Sequence, residues 1–306
     1  MQRICPGGGV MKEATSITHA RHALQSGEVG QVGVLYANGC SMTYGYELID
    51  DPQTHVCLDD AYREAHAWPG RLAVRVGAEK VVNDSIPGGS NDRILRTTIQ
   101  WVTDFLGAGG DAARRSLLVV IGWSDPMRRE YFVGDEWKQT IPYHDYPDLP
   151  ALDRLNKVYR EVAWNDHESA CRFATQALAL QAFLQHHRVR FLFFDALKSC
   201  QETFAAARQA VAHTRALNAR TYLHFGDCGG SMASILSAET PHWKGRHPAE
   251  DGHDYWAGIL AGHLRREALL ALEPGADAAF RSAWFARLRA AVRHRRGVER
   301  GPFIYP

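Results

Sequence analysis

No stretch of this sequence approaches the roughly 18 consecutive apolar residues that a membrane-spanning helix needs, and the glycine-rich N-terminus lacks the apolar core of a signal peptide. Charge of one sign is not in excess either. Thirty-five Lys+Arg against 34 Asp+Glu leave a formal net charge of +1, so no global field draws the chain to nucleic acid or to an anionic membrane surface. Cysteine is sparse and unpatterned: Cys5, Cys40, Cys57, Cys171, Cys200 and Cys228 form no Cys-x-x-Cys pair, which excludes a zinc ribbon and argues against a disulfide framework. Reduced thiols and a cytoplasmic location follow as the expectation. Internal repeats, low-complexity segments and a linker that would cut the chain in two are absent as well. Small-molecule chemistry, with neither nucleic acid nor membrane as partner, is what these absences leave.

What is present is a 306-residue chain, 45% hydrophobic, long enough for one large α/β domain. Val32–Asn38 is an apolar run between glycines that reads as a buried strand. Lys80–Asn83, Ser116–Gly122, Val189–Asp195 and Thr221–Phe225 supply four more. Between them fall helical stretches: Pro69 to Gly77, from Ser90 or Asn91 to about Leu106, one or two helices over 151–187, an alanine-rich one over 205–217, and a last one over 254–272. Residues 49–66 read as polar and irregular. This alternation predicts a three-layer α/β/α sandwich around a doubly wound, five-stranded parallel sheet. Residues 1–30 form an N-terminal extension with a short helix, and Met11 reads as a natural start. The α/β domain runs over 31–272 with an aromatic, proline-rich loop insertion at about 123–150, and 273–306 form a basic C-terminal helix and tail.

Two places carry residues suited to chemistry. Ser41 stands in a small, glycine-flanked turn at the C-terminal end of the first strand, the edge where open α/β sheets place their ligands. His247 precedes Pro248 in the loop before the last helix. A serine hydroxyl needs a neighbouring base to take its proton, and a neutral imidazole suits that task. His242, His247 and His253 with Asp251 and Asp254 make a dense local cluster, but their spacing matches no metal-binding pattern, and no metal or other cofactor is expected. Pro87–Asn91 lacks the glycine spacing of a dinucleotide site.

The order Gly-x-Ser-x-Thr-x-Gly, then Asn-x4-Gly, then Ile-Gly-x-Ser, then His-Pro-x3-Gly-His resembles the GDSL/SGNH hydrolase family over residues 32–260. The resemblance implies a flavodoxin-like SGNH hydrolase fold, Ser41 as nucleophile and His247 as base. An oxyanion hole would come from the backbone N–H groups of Ser41 and Gly88, and His253 would be structural. Three departures accompany it. Cys40 stands where the family has an aspartate, and Ser124 where it has an oxyanion-binding asparagine. Lys244 occupies the position of the aspartate that orients the histidine. Ser124 or Asn91 would then replace the missing donor. The histidine would rely on a backbone carbonyl or on a carboxylate from elsewhere, such as Asp227. The expected activity is hydrolysis of a small-molecule ester or related acyl bond. The alternatives are acyl transfer at the same Ser–His site and a non-catalytic binding protein on a degraded hydrolase scaffold. Trp123, Arg128 and Arg129 leave the central strand on the edge that carries Ser41, which makes them candidates for binding a substrate that bears an anion.

Overall fold

The structure, a computed structural model, describes residues 31–271 apart from 52, 53, 55, 207–211, 226, 228 and 239–241. These belong to one of two units, Met1–Ala271. The expected N-terminal extension and basic C-terminal tail lie outside the described residues.

In chain order the regular elements are β1 (Val34–Asn38), α1 (Ser41–Tyr44), α2 (Asp60–His66), α3 (Trp68–Val76), β2 (Lys80–Asn83), α4 (Asn91–Ser116) and β3 (Leu117–Trp123). A hairpin of β4 (Arg129–Val133) and β5 (Glu136–Thr140) follows, then α5 (Pro150–Val158), which runs through one π-helical turn towards α6 (Asp166–His186). The chain continues through β6 (Arg190–Asp195), α7 (Cys200–Ala206), α8 (Met232–Ser237), the two-residue strands β7 (Trp243–Lys244) and β8 (His247–Pro248), and α9 (Glu250–Arg266).

Four parallel strands form the main sheet in the order β2-β1-β3-β6. β3 is buried along its whole length, which explains its unbroken apolar sequence: a strand covered on both faces has no polar side to alternate with. Alternate residues feed two cores. Leu35, Ala37, Leu118, Val120, Leu192 and Phe194 pack with Trp68 and Leu72 of α3 and with Trp256 and Leu260 of α9. Tyr36, Val119, Ile121 and Phe193 pack on the opposite face with Ile94 and Val102 of α4 and with Phe173 and Leu180 of α6. The expected three layers are therefore present.

The fifth strand is not. Among the described residues, Thr221–Phe225 meets the sheet at a single bridge, Phe193 to Tyr222. The Leu223 N–H donates to the Phe193 carbonyl at 2.8 Å, and the Tyr222 hydroxyl donates to buried Asp195 at 2.6 Å. His224 then takes φ +56°, which turns the chain out of the extended form that a strand requires. Three further expectations are corrected. The region 49–66 contains α2, whose first turn is capped by the Asp59 carboxylate accepting from Tyr62 N–H at 2.9 Å. His247 and Pro248 form the short strand β8 rather than loop, and the last helix, expected over 254–272, is α9 over Glu250–Arg266. The insertion after β3 is a built hairpin rather than an irregular loop, closed by Gly134–Asp135, a two-residue turn with glycine at its first central position.

That hairpin is clamped to α4. The Glu130 carboxylate, its side chain 1% exposed, accepts from Arg96 Nε and Nη2 at 2.8 and 2.7 Å and from Gln139 Nε2 at 2.7 Å. The Arg96 guanidinium also lies over the Trp137 ring, 4.4 Å from its centroid. Removing one partner of a buried ion pair leaves the other uncompensated. Glu130→Ala is therefore expected to lower stability by about 2–4 kcal/mol, the lower end reflecting the partial exposure of Arg96. Denaturant unfolding measures it, and a change below about 0.5 kcal/mol, the size of an exposed pair, would show that the clamp holds nothing.

Candidate active site

Because the strands are parallel, the ends of β1, β2 and β3 reach the same edge of the sheet. β1 is the strand from which the chain moves to β2 on one side and to β3 on the other, which opens a crevice at that edge. Two glycines let the loops there touch. A Cβ on Gly89, after β2, would stand 2.9 Å from the Gly39 carbonyl, and one on Gly39 would stand 2.9 Å from the Gly122 carbonyl at the end of β3. No side chain fits between these backbones, so the Ser41 turn, the Gly88 loop and the start of the insertion are pressed together. Asn38 fixes the turn from beneath. Fully buried, it donates to Tyr36 Oη at 3.0 Å and to the Thr97 and Thr98 hydroxyls at 2.9 and 3.0 Å, while its own oxygen accepts from Gly39 N–H at 2.8 Å.

Ser41 is the first residue of α1 and is 7% exposed. The N-cap before it, Cys40, makes no side-chain cap bond and belongs to the buried core, so the thiol packs rather than caps. The first N–H groups of a helix have no partner within it. No hydrogen bond engages the Ser41 N–H or the Gly88 N–H among the described residues. Gly88 takes φ +74° in its turn. The neighbouring Ser90 N–H donates instead to Gln139 of the hairpin at 3.0 Å, which brings the insertion up against the Gly88 loop.

β8 packs directly on α1, which carries His247 to the Ser41 turn. The Tyr46 ring meets the imidazole at 5.1 Å, and Glu47 Oε2 stands 3.2 Å from His247 Nδ1. Glu47 is the residue that sequence reading missed. It supplies a carboxylate beside the histidine from the segment after Ser41, where the family-like position offers only Lys244. Its placement is strained: φ is +69°, held by a 2.8 Å bond from its own N–H to Asp50 Oδ2. The same carboxylate oxygen accepts from Arg246 N–H at 3.2 Å, and it occupies space beside Gly245 that a Cβ would enter to within 2.9 Å. Asp227, the carboxylate expected there, instead faces His224 at 3.2 Å.

Burial holds the His247 pKa below its ordinary value. Glu47 opposes that shift, and the positive charges of Arg128 and Arg246 add to it. The ring is thus neutral near pH 7, the form that can accept a proton. His253 is also neutral but serves structure: fully buried, its Nδ1 accepts from Trp68 N–H at 3.2 Å, and burial first, then His247 and Arg71, push its pKa down to about 3.

The remaining candidates separate cleanly. Ser124 is 2% exposed; its N–H donates to Asn91 Oδ1 at 2.8 Å and its carbonyl accepts from Asn91 Nδ2 at 3.0 Å, while its hydroxyl has no partner. Asn91 is fully buried in that clamp, so it positions Ser124 and is out of a substrate's reach. Trp123 is core, edge-on to Phe173 and Phe193. Arg129 pairs with Glu168 at 2.5 Å and lies over the Tyr159 ring. Arg128 is 8% exposed with no partner at Nε or Nη1.

Among the described residues no group of three His, Cys, Asp or Glu side chains is arranged to hold a metal ion, and no helix is long and apolar enough to cross a membrane. A cleft of about 460 Å³ lies elsewhere, lined by Arg71, His242, Glu250, Asp251, Asp254 and Tyr255. Those side chains are largely bound to one another, as in Arg71 to Glu250, so the chemistry is better sought at the sheet edge.

The molecule is thus a parallel α/β protein with a serine, a histidine and a glutamate gathered at one sheet edge. The chain belongs to a family of unknown function, DUF6071, which matches residues 46–278 and so includes Glu47, Gly88, Arg128 and His247 but begins just past Ser41. No curated protein matches its sequence. Among solved structures it is similar to TesA, at 13% identity over 76% of this chain and 99% of that one, with a TM-score of 0.40. It is also similar to Est24, a carbohydrate acetylesterase from Sinorhizobium meliloti (12% identity, 76% and 97% covered, TM-score 0.42). A third is the psychrotrophic esterase EstA from Pseudoalteromonas sp. (8% identity, 76% and 97% covered, TM-score 0.41).

The buried histidine makes a prediction about stability. Between pH 6.5 and about 3 the unfolded chain binds a proton at residue 253 that the folded protein refuses, so stability is full above pH 6.5 and falls as the pH drops. The slope for this group alone approaches about 1.4 kcal/mol per pH unit. His253→Asn keeps an acceptor for Trp68 N–H and removes the titration, so its stability between pH 7 and 5 is expected to vary less than that of the wild type. Urea unfolding at several pH values measures both slopes, and identical slopes would assign the acid sensitivity to other groups.

Proposed function

We propose that the protein is a serine hydrolase of the SGNH type that cleaves an ester or related acyl bond of a small molecule. The observation that carries the reading is the Glu47 carboxylate 3.2 Å from His247 Nδ1, on a strand packed against the helix that Ser41 begins. The pair is within ion-pair distance but not aligned as a hydrogen bond in the free protein; once aligned, the carboxylate would hold the proton on Nδ1 and leave Nε2 as the basic nitrogen, the tautomer that a Ser–His–acid relay requires. Ser41 Oγ attacks the acyl carbonyl as His247 Nε2 takes its proton. The charge that develops on the carbonyl oxygen is met by the unengaged N–H groups of Ser41 and Gly88, with the unpartnered Ser124 hydroxyl as third donor. Collapse expels the alcohol, which receives the proton from His247. Water, activated by the same nitrogen, then releases the acid and restores Ser41. Catalytic hydrogen bonds that are open in an unliganded site tighten on substrate binding, so Ser41 and His247 need not be bonded in the free protein.

The test is covalent labelling by a fluorophosphonate, since only an activated serine reacts. Wild type is expected to label at Ser41, and Ser41→Ala and His247→Ala are expected to lose both labelling and turnover. The double variant should be no slower than either single one, because the two groups act as a unit. Glu47→Gln keeps shape but can favour the wrong tautomer, and is expected to lower kcat by about 10³–10⁴-fold, the scale for an orienting acid in this kind of relay. A folded wild type that stays unlabelled would overturn the assignment. Full activity in Glu47→Gln would remove the glutamate from it.

A further inference from the structure

The loop after β3 contains an electrostatic imbalance. Four arginines surround it, and three are matched. Arg96 holds Glu130, Arg129 holds Glu168 at 2.5 Å, and Arg172 bonds both Glu168 at 3.1 Å and Asp92 at 3.3 Å. The acids are equally committed: Asp92 also accepts from Gln176 Nε2 at 2.5 Å and from Glu130 N–H at 3.0 Å, and Asp125 caps its own turn by accepting from Met127 N–H at 3.0 Å. Arg128 alone has no carboxylate. Its backbone is fixed, N–H to the Asp125 carbonyl at 3.1 Å, and its side chain is more than nine-tenths buried with Nε and Nη1 unpartnered. The loop that carries it leaves β3 at the sheet edge where the Ser41 turn lies, and its positive charge lowers the basicity of His247.

A guanidinium cannot shed its proton, so burying it without an anion is costly, and the usual remedies are a paired carboxylate or a move to solvent. Here no carboxylate among the described residues pairs with it, and Nε and Nη1 stay buried. We propose that Arg128 binds a carboxylate of the substrate, so that the ester cleaved at Ser41 is a half-ester of a dicarboxylic acid or an ester of a hydroxy acid. This rests on the hydrolase reading for the identity of the scissile bond, but the anion site stands on Arg128 itself. Among the described residues Nη2 has no hydrogen-bond partner either, and Nε and Nη1 each share an edge of the planar guanidinium with it, so either edge presents two donors to the two oxygens of a carboxylate. A bound carboxylate beside His247 offsets the arginine charge that depresses its basicity, so the correct substrate strengthens the base that acts on it.

Two matched pairs of esters test the proposal: 4-nitrophenyl hemisuccinate against 4-nitrophenyl butyrate, with the charge on the acyl side, and 4-butyryloxybenzoate against phenyl butyrate, with the charge on the alcohol side. In one pair the wild type is expected to favour the anion, and Arg128→Gln to shrink that preference in kcat/KM by about 10- to 100-fold, the range of a buried charge-assisted bond. The acid limb of the pH profile should also move to higher pH in the variant, because the charge that disfavours protonated His247 is gone. Equal losses on charged and neutral members of both pairs would overturn the proposal. Binding is read separately from catalysis. Succinate should raise the Tm of wild type and not that of Arg128→Gln, while the ligand-free variant should be at least as stable as wild type, since an unpaired buried charge has been removed. If the fluorophosphonate fails to label Ser41 but succinate still stabilises through Arg128, the hydrolase reading falls and the anion site stands. If labelling succeeds and succinate has no Arg128-dependent effect, the anion site falls and the hydrolase reading stands.

Discussion

The close approach of three backbones at the C-terminal edge of the sheet is the constraint on which the rest of this protein depends. Where Gly89 meets the Gly39 carbonyl and Gly39 meets that of Gly122, the loops after three strands are separated by no side chain at all. Packing at that distance makes one surface of what would otherwise be three mobile connections. The polar groups trapped beneath are then obliged to bond to one another, and Asn38 does this for β1 and α4 together. The unpaired N–H groups of Ser41 and Gly88 lie at the same edge, the first because it opens a helix and the second in a turn with φ +74°.

Around that edge the ionisable groups divide by what partners them. Glu130 with Arg96, and Asp92 with Arg172 and Gln176, are matched pairs that fasten the hairpin and α6 to α4. Fastened in this way, the insertion is a fixed wall beside the Gly88 loop, with Gln139 in contact with Ser90 N–H. His247, Glu47 and Arg128 differ because each has a bonding position left open or strained. Glu47 sits at φ +69° although it is not glycine, an arrangement that costs about 1–3 kcal/mol and persists only where surrounding bonds enforce it. Here those bonds are to Asp50 and to Arg246 N–H.

Much of the fold was legible in the sequence because burial on both faces writes itself as an unbroken apolar run. The runs at 32–38, 116–122 and 189–195 differ from β1, β3 and β6 by no more than two residues at either end. Thr221–Phe225 carries the same composition, yet one positive φ at His224 prevents it from pairing beyond Tyr222, and no composition reveals that. The hairpin was readable in principle: Gly134–Asp135 is a two-residue turn signal between β-prone segments, hidden by the aromatic and proline-rich text around it. The Asp59 cap of α2 is likewise present, but it lies in a stretch whose composition reads as polar and irregular. Ser41 and His247 stood out because a serine in a glycine turn and a histidine before proline are marked locally. Glu47 was not marked. It reaches His247 across two hundred residues of chain, by a left-handed backbone and through the space left by Gly245, and neither leaves a pattern in the sequence.

In the proposed relay the acid would therefore come from the serine's side of the site rather than from the histidine's. In the family-like arrangement that the sequence resembles, acid and base share one loop, so their separation is set by three residues of local backbone. Here Glu47 shares a segment with Ser41 instead, and the distance between acid and base depends on how β8 docks against α1. Any displacement of the β7–β8 hairpin would part His247 from Glu47 and from the Ser41 turn together, while Ser41, the Gly88 N–H and Arg128 stay where the packed sheet edge holds them. In the proposed reaction, recognition of the acyl group and activation of the serine would thus sit on opposite sides of one docking contact, in which Tyr46 meets the imidazole.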